Sequence, residues 1–368
     1  MKFSVEKDHL LKYINVVIRA TQPKISAGGI RSSIKLSLNN NQLNMAASDL
    51  DISIETELLV NGGEDGVVVV PGKVIQELVR SFKPGSITFM SDSDSLFIIN
   101  DTVKFEIKVF STDTFIPLQN ISGKPVKIQA AELIKAISQV SRAASNDEIR
   151  PVLTGVLMSF TNKNLRLVAT DSYRLAIRDI STEDAESDGK NILVPAKALT
   201  ELEKIMSTIS EEDQIEIICD EGHAKFIIGK TTVVTQLINE TFPLYEKLIP
   251  DEINQKIVVN KDNFADSIKR MRLFVKDIKS SIQISHSETG IKLSASSFDF
   301  GNGEEVIDAE LTGDELEISF NPSYLLDGVE TIDGEETEIL IVNSKKPALI
   351  RSVNSDNFRY ILMPITVS

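Results

Sequence analysis

The stretch Leu165-Arg166-Leu167-Val168-Ala169-Thr170-Asp171 alternates apolar residues with others and then runs into small ones, the pattern of a strand entering a tight turn. It is echoed by Leu43-Asn44-Met45-Ala46-Ala47-Ser48-Asp49 and, less closely, by Ile291-Lys292-Leu293-Ser294-Ala295-Ser296-Ser297. Self-similarity at intervals of about 120–130 residues is the signature of one structural unit used three times. A second marker follows each copy: Val69-Val70-Pro71-Gly72-Lys73, Leu193-Val194-Pro195-Ala196-Lys197 and Ser319-Phe320-Asn321-Pro322-Ser323, with proline expected in a first helical turn, where a missing N–H is tolerated. A third closes each unit: Phe115-Ile116-Pro117-Leu118, Phe242-Pro243-Leu244-Tyr245 and Met363-Pro364-Ile365.

Each unit opens with a short apolar strand followed by an amphipathic stretch. Apolar residues at i, i+4 and i+7 (Leu10, Ile14, Val17; Leu133, Ile137, Val140; Phe264, Ile268, Met271) line one helical face. A second helix follows each proline marker, with Ile75 and Phe82, Leu199 and Met206, and Leu325 and Ile332 seven apart. Alternating runs such as Ser33–Leu38 and Lys225–Ile228 read as antiparallel strands. The fold class is therefore α+β, three repeated domains each with two helices on antiparallel sheet. Ser122-Gly123-Lys124-Pro125 and Pro250-Asp251-Glu252-Ile253-Asn254 mark the joints, giving domains 1–122, 123–250 and 251–368.

A single cysteine, Cys219, excludes an internal disulfide. Met1-Lys2-Phe3-Ser4-Val5-Glu6 leads straight into a strand with no apolar run of signal-peptide or membrane-span length, so a cytoplasmic protein without a membrane partner is expected. The net charge of −15 argues against nucleic acid until its distribution is read. The predicted helices 6–24, 71–83, 132–146, 195–206, 260–277 and 321–334 together carry +4 and leave −19 for the rest. Lys269, Arg270, Arg272 and Lys276 are the densest basic group, and a solvated helical face is the plain alternative. Catalytic patterns are lacking. His9, His223 and His286 share no metal-ligand spacing, and no phosphate loop or nucleophile elbow occurs. Asp49 and Asp171 sit at equivalent repeat positions, which suits a turn carboxylate accepting local N–H groups better than an acid–base pair. No metal, cofactor or catalytic residue is expected.

Met1–Leu11, Ala169-Thr170-Asp171-Ser172-Tyr173-Arg174-Leu175-Ala176, Phe242–Tyr245, Phe320–Leu325 and Tyr360-Ile361-Leu362-Met363-Pro364-Ile365 together resemble the bacterial DNA polymerase III beta subunit, the sliding clamp. The resemblance runs the length of the chain in order. It implies a head-to-tail homodimer forming a ring, with helices lining the hole and strands outside. It also implies double-stranded DNA, a polymerase catalytic subunit, a clamp loader and repair proteins carrying short linear motifs as partners. Weak contacts without base readout allow sliding, while a closed ring supplies persistence. Carried over from the resemblance, Lys24 and Arg150 face DNA, and the basic group Lys269, Arg270 and Arg272, read from the helical periodicity, is expected to join them on an inner helix. The implied peptide pocket is Leu153, Thr170, Tyr173, Arg174, Leu175, Pro243, Lys247, Leu248, Tyr324, Pro347, Ile361, Met363, Pro364 and Ile365, apolar walls flanked by Arg174 and Lys247. Phe105, Ile107, Leu273 and Phe274 are the implied subunit contact. The chain departs from the family at Ile25-Ser26-Ala27-Gly28-Gly29-Ile30, which lacks the usual Pro-Ile-Leu, at Pro151-Val152, and at Tyr173, where some relatives have histidine. A three-repeat peptide-binding scaffold with no DNA role and a hydrolase using Asp49 or Asp171 are the alternatives.

Overall fold

The computed structural model describes residues 1–22, 30–161, 163–182, 189–209, 213–275, 281–297, 299–353 and 355–365. Among these, six α-helices form: α1 (Lys7–Val17), α2 (Gly72–Ser81), α3 (Ala130–Val140), α4 (Ala196–Ile209), α5 (Lys261–Arg272) and α6 (Pro322–Thr331). All the apolar positions that define the predicted helical faces are buried. Three helices, α1, α3 and α5, end five or more residues earlier than the periodicity predicts, α3 giving way at Ser141 to a 3-10 turn. α1 gives way at Ile18 to a 3-10 turn, where both the Thr21 amide and its hydroxyl donate to the Ile18 carbonyl. α5 ends at Arg272 because Leu273, Phe274 and Val275 donate to carbonyls three residues back, the tightening that ends an α-helix. Proline also differs among the copies: Pro322 occupies the first turn of α6, whereas Pro71 and Pro195 are the last residues of strands just before α2 and α4. Asn321 supplies the cap for α6, its side chain accepting from the Ser323 and Tyr324 amides.

The chain packs as two units that do not break at the repeat boundaries. One consists chiefly of Met1–Ile134 and Lys197–Asn239, the other of Lys135–Ser181 and Glu240–Ser368. The reason is strand pairing. In the first unit an eight-stranded sheet joins strands of the first and second repeats through Ile52–Leu59 against Thr231–Gln236, with a hydroxyl pair, Thr56 and Thr231, buried at 2.8 Å. A five-stranded sheet completes that unit. In the second, a twelve-stranded sheet joins the second and third repeats through Arg174–Ser181 against Phe358–Leu362. Both seams are antiparallel. Ile34 points toward the helices, since a side chain at Gly72 would meet Ile34 and Ile18. Strand alternation therefore turns Lys35 and its neighbours to the opposite face.

Candidate functional site

The turn after Thr170 is built by its own side chains. Asp171 Oδ1 accepts from the Tyr173 amide at 2.9 Å and the Arg174 amide at 3.0 Å, while the Ser172 amide donates to Thr170 Oγ1. Ser172 takes φ 79°, the left-handed region that such a turn imposes. The first repeat does the same: Asp49 Oδ1 accepts from the Asp51 and Ile52 amides, and Leu50 has φ 88°. Both aspartates are thus turn residues whose carboxylates are occupied by backbone donors.

Identical backbone carries different side chains at the two seams. On the face away from the helices, Leu157 opposes Val168, Val168 opposes Ile177, and Leu175 opposes Ile361. The same register in the first unit reads Lys35 opposite Ala46, Ala46 opposite Glu55, and Ser53 opposite Val234. The second unit therefore has an apolar outer face where the first has a polar one. Val168, Leu175, Ile177, Tyr245, Leu340, Leu349 and Ile361 cluster there, with Leu157, Phe242 and Ile249 packed against them. An outer face this apolar needs cover, and the connector from Phe242 to Ile249 supplies part of it.

The residues carried over for the peptide pocket divide by burial. Leu153, Thr170, Leu175 and Ile361 are buried, Leu175 and Ile361 within the apolar cluster. Tyr324, Pro347, Pro364 and Ile365 are half-buried, whereas Tyr173 (60% exposed), Pro243, Lys247, Leu248 and Met363 stand open to solvent. The terminal stretch is pinned by the Met363 amide donating to the Tyr173 carbonyl at 2.9 Å and the Ile365 amide to the Ser319 carbonyl at 2.7 Å. The Tyr173 and Tyr324 rings stack with centroids 6.3 Å apart. Leu244, 82% exposed beside Pro243, lies within the Phe-Pro-Leu-Tyr marker but is not among the residues carried over for the pocket.

Arg174, expected on the flank of the pocket, is held by several partners. Its guanidinium pairs with Asp171 and Asp327, donates to the Arg142 carbonyl and lies 4.4 Å from the Tyr324 ring centroid. Burial opposes its charge, yet the contacts with Tyr360, Asp327 and Asp171 hold it above its ordinary pKa. Arg174 is thus a structural hub under the Tyr173–Tyr324 shelf, which leaves Lys247 as the open cation of the set.

Lys24 lies outside the described residues. Arg150 is exposed and donates to Ser172 Oγ at 3.3 Å. Lys269, Arg270 and Arg272 are exposed on the last turn of α5. Lys269 pairs with Glu330 at 3.4 Å and Asp266 at 3.5 Å, and Arg270 with Glu305. On the first unit, a cleft of about 530 Å³ is lined by Arg19, Lys73 and Arg80 with Asn15, Gln22 and Gln76.

Phe105 is exposed and Ile107 buried on the strand Val103–Lys108, whose free side ends the five-stranded sheet. Leu273 (73% exposed) and half-buried Phe274 follow α5 instead of lying on it. The Phe274 ring covers Gly303, where a Cβ would stand 2.9 Å from it. Gly303 belongs to the strand Gly301–Thr312, whose residues 309–312 pair with Lys256–Val259 and whose residues 301–308 pair only with Gly290–Ser297.

Models of the DNA polymerase III beta subunit match this chain with its N-terminal domain over residues 1–119, its central domain over 127–244 and its C-terminal domain over 246–366. The chain belongs to the DNA polymerase III beta subunit family. It is similar to the beta sliding clamp of Staphylococcus epidermidis, 30% identical over 378 residues and 99% of both chains. The DNA polymerase sliding clamp of Bacillus subtilis superposes with a TM-score of 0.94 at 26% identity, covering all of both chains. The C. crescentus beta sliding clamp gives 0.92 at 26%, covering 100% of this chain and 99% of that one. The three-domain α+β reading of the repeats is the fold of this family. Among the described residues, no helix is long and apolar enough to cross a membrane.

Proposed function

We propose that two copies of this chain close head to tail into a ring around duplex DNA, holding it without base readout and tethering a polymerase catalytic subunit for processive synthesis. The observation that carries ring closure is a pair of unpaired sheet edges of opposite charge. The strand Val103–Lys108 presents Lys104 and Lys108 on either side of Glu106, a net +1, and residues 301–308 present Glu304, Glu305 and Asp308, of which Glu305 is held by Arg270. Free edges invite pairing with another chain, and complementary charge sets which edge meets which. Phe105 and Ile107 beside one edge, and Leu273 and Phe274 beside the other, supply apolar contact. Each copy brings domains 1–122, 123–250 and 251–368.

The family is one of processivity factors, and this chain acts by binding, with no reaction of its own. Lys24, Arg150, Lys269, Arg270 and Arg272 touch the phosphate backbone. The floor of Leu153, Thr170, Leu175 and Ile361, walled by Tyr173, Pro243, Leu248, Tyr324, Pro347, Met363, Pro364 and Ile365 with Lys247 at the rim and Arg174 beneath, takes short extended peptides of the polymerase, the clamp loader and repair proteins. The protein works in the cytoplasm. The seam comparison supports the pocket, because an apolar outer face is present at one seam and absent from its equivalent. Primed circular templates copied by a bacterial replicative polymerase and loader test this. Products lengthen on adding the chain and shorten again with Leu175→Ser or an excess of a Leu-Phe peptide; product lengths indifferent to the chain contradict it.

A further inference from the structure

The second helix of each repeat carries a glutamate that holds two cations at once. Glu77 on α2 accepts Lys73 at 3.2 Å and Arg80 at 3.5 Å. Glu201 on α4 accepts Arg19 and Lys204, each at 2.7 Å. Glu330 on α6 accepts Lys269 at 3.4 Å and Arg142 at 3.6 Å. Glu77 and Glu201 stand at one repeat position, six residues after Pro71 and Pro195; its third copy, Asp327, is taken by Arg174, and Glu330 one turn on carries the pairing instead. The cations come from elements of the helical layer: α2, α4, α5 and the 3-10 turns after α1 and α3. The pairing is felt in titration: the Glu330 contact raises Lys269, and Lys204 and Arg19 pull Glu201 down against the effect of its burial.

We propose that Glu77, Glu201 and Glu330 act as built-in counter-ions that set how weakly the helical layer holds a phosphate backbone. This rests on the clamp reading above. A phosphate that reaches Lys73, Arg80, Arg19 or Lys269 replaces a carboxylate partner that the cation already has, so each contact exchanges one ion pair for another, the pair being exposed at Lys73, Arg80 and Lys269 and half-buried at Arg19. Exposed pairs of this kind are weak, so the exchange is nearly level in free energy and a duplex passes from cation to cation with little resistance. Each glutamate leaves its pair of cations with one net positive charge, enough to attract DNA from solution while the body of the protein stays acidic. Without the three carboxylates the six side chains, apart from Lys269 with its second partner Asp266, would need a phosphate or a salt ion, and leaving the duplex would require counter-ions to condense again.

The test is the variant Glu77→Gln, Glu201→Gln, Glu330→Gln, compared with wild type and with Glu221→Gln, Glu252→Gln, Glu288→Gln, which makes the same charge change on exposed residues outside the helices. Affinity for a short labelled linear duplex, which a ring can leave by its ends, is followed against salt. One-dimensional diffusion is followed on long duplex with blocked ends. The helical variant should bind the linear duplex more tightly, with a log–log salt slope steeper by about 3, from ~0.9 per newly engaged phosphate, and should diffuse severalfold more slowly. The control should match wild type. Equal slopes and diffusion in all three proteins overturn the proposal, as does an equal change in both variants, which would be an effect of net charge alone. If wild type is not retained on end-blocked duplex at all, the clamp reading fails and this inference with it.

Discussion

Ser53 and Leu175 occupy one register position in two equivalent seams, Ser53 facing Val234 and Leu175 facing Ile361. Ser53 is half-buried on a polar outer face, whereas Leu175 is buried in an apolar cluster. Leu175→Ser should lower unfolding stability by about 3 kcal/mol, the loss of a buried aliphatic side chain with a cavity left behind. Ser53→Leu should cost less, about 1 kcal/mol, the loss of its hydroxyl contact with buried Ser48 at 2.7 Å. Urea denaturation of both variants checks the contrast; similar losses would mean that the two faces are equivalent.

Arg174 holds Asp171, Asp327, the Arg142 carbonyl and the Tyr324 ring together. Arg174→Gln should destabilise by about 3 kcal/mol, since removing one partner of a buried pair strands the other. Arg174→Lys should recover little, because an ammonium lacks the planar fork that reaches several acceptors while stacking on a ring. Thermal unfolding of the two variants reads this directly; full rescue by lysine would show that charge alone matters.

Glu338 is buried between Lys256 and Arg351. Burial raises its pKa, but the two cations outweigh burial and hold it below the usual carboxylate range. A folded pKa below the unfolded one contributes stability above about pH 4.3, and that contribution fades as pH falls through the folded value. Unfolding free energy measured from pH 6 to pH 3 should therefore fall more steeply below about pH 4.3 in wild type than in Glu338→Gln. Parallel acid limbs would remove Glu338 as a source of acid lability.

Phe105 is exposed on a free strand edge, and Phe274 rests on Gly303 of the other. Phe105→Asp or Phe274→Asp should convert a two-chain native mass to one, because a charge cannot be buried at an apolar contact without a partner. Gly303→Val should weaken the dimer more mildly by displacing the Phe274 ring. Native mass spectrometry separates these outcomes, and an undiminished dimer in both aspartate variants would move the interface elsewhere.

Local features of the fold were legible because they have local causes. The faces of α1, α3 and α5 follow from spacing, and the Asp49 and Asp171 turns from side chains two and three residues from their donors. What escaped is non-local. Nothing near Ile52 announces that its strand pairs with Thr231–Gln236 across a repeat boundary, so three repeats in sequence become two packing units in space. Arg174 looked like a pocket cation because its partner Asp327 lies 153 residues away. Leu244, one exposed leucine in a connector, carries no periodic signal, although it sits inside the Phe-Pro-Leu-Tyr marker.

In the proposed ring the hold on DNA is topological. Retention of the loader-assembled protein on a nicked duplex circle, before and after a single cut makes the circle linear, tests it most directly. A closed ring should stay on the circle at high salt and be lost after the cut, because an exposed, carboxylate-paired cationic layer cannot hold a duplex once the ends are free. Equal retention before and after the cut would mean ordinary binding and would contradict the ring, and no retention on either form would favour a peptide-binding scaffold with no DNA role.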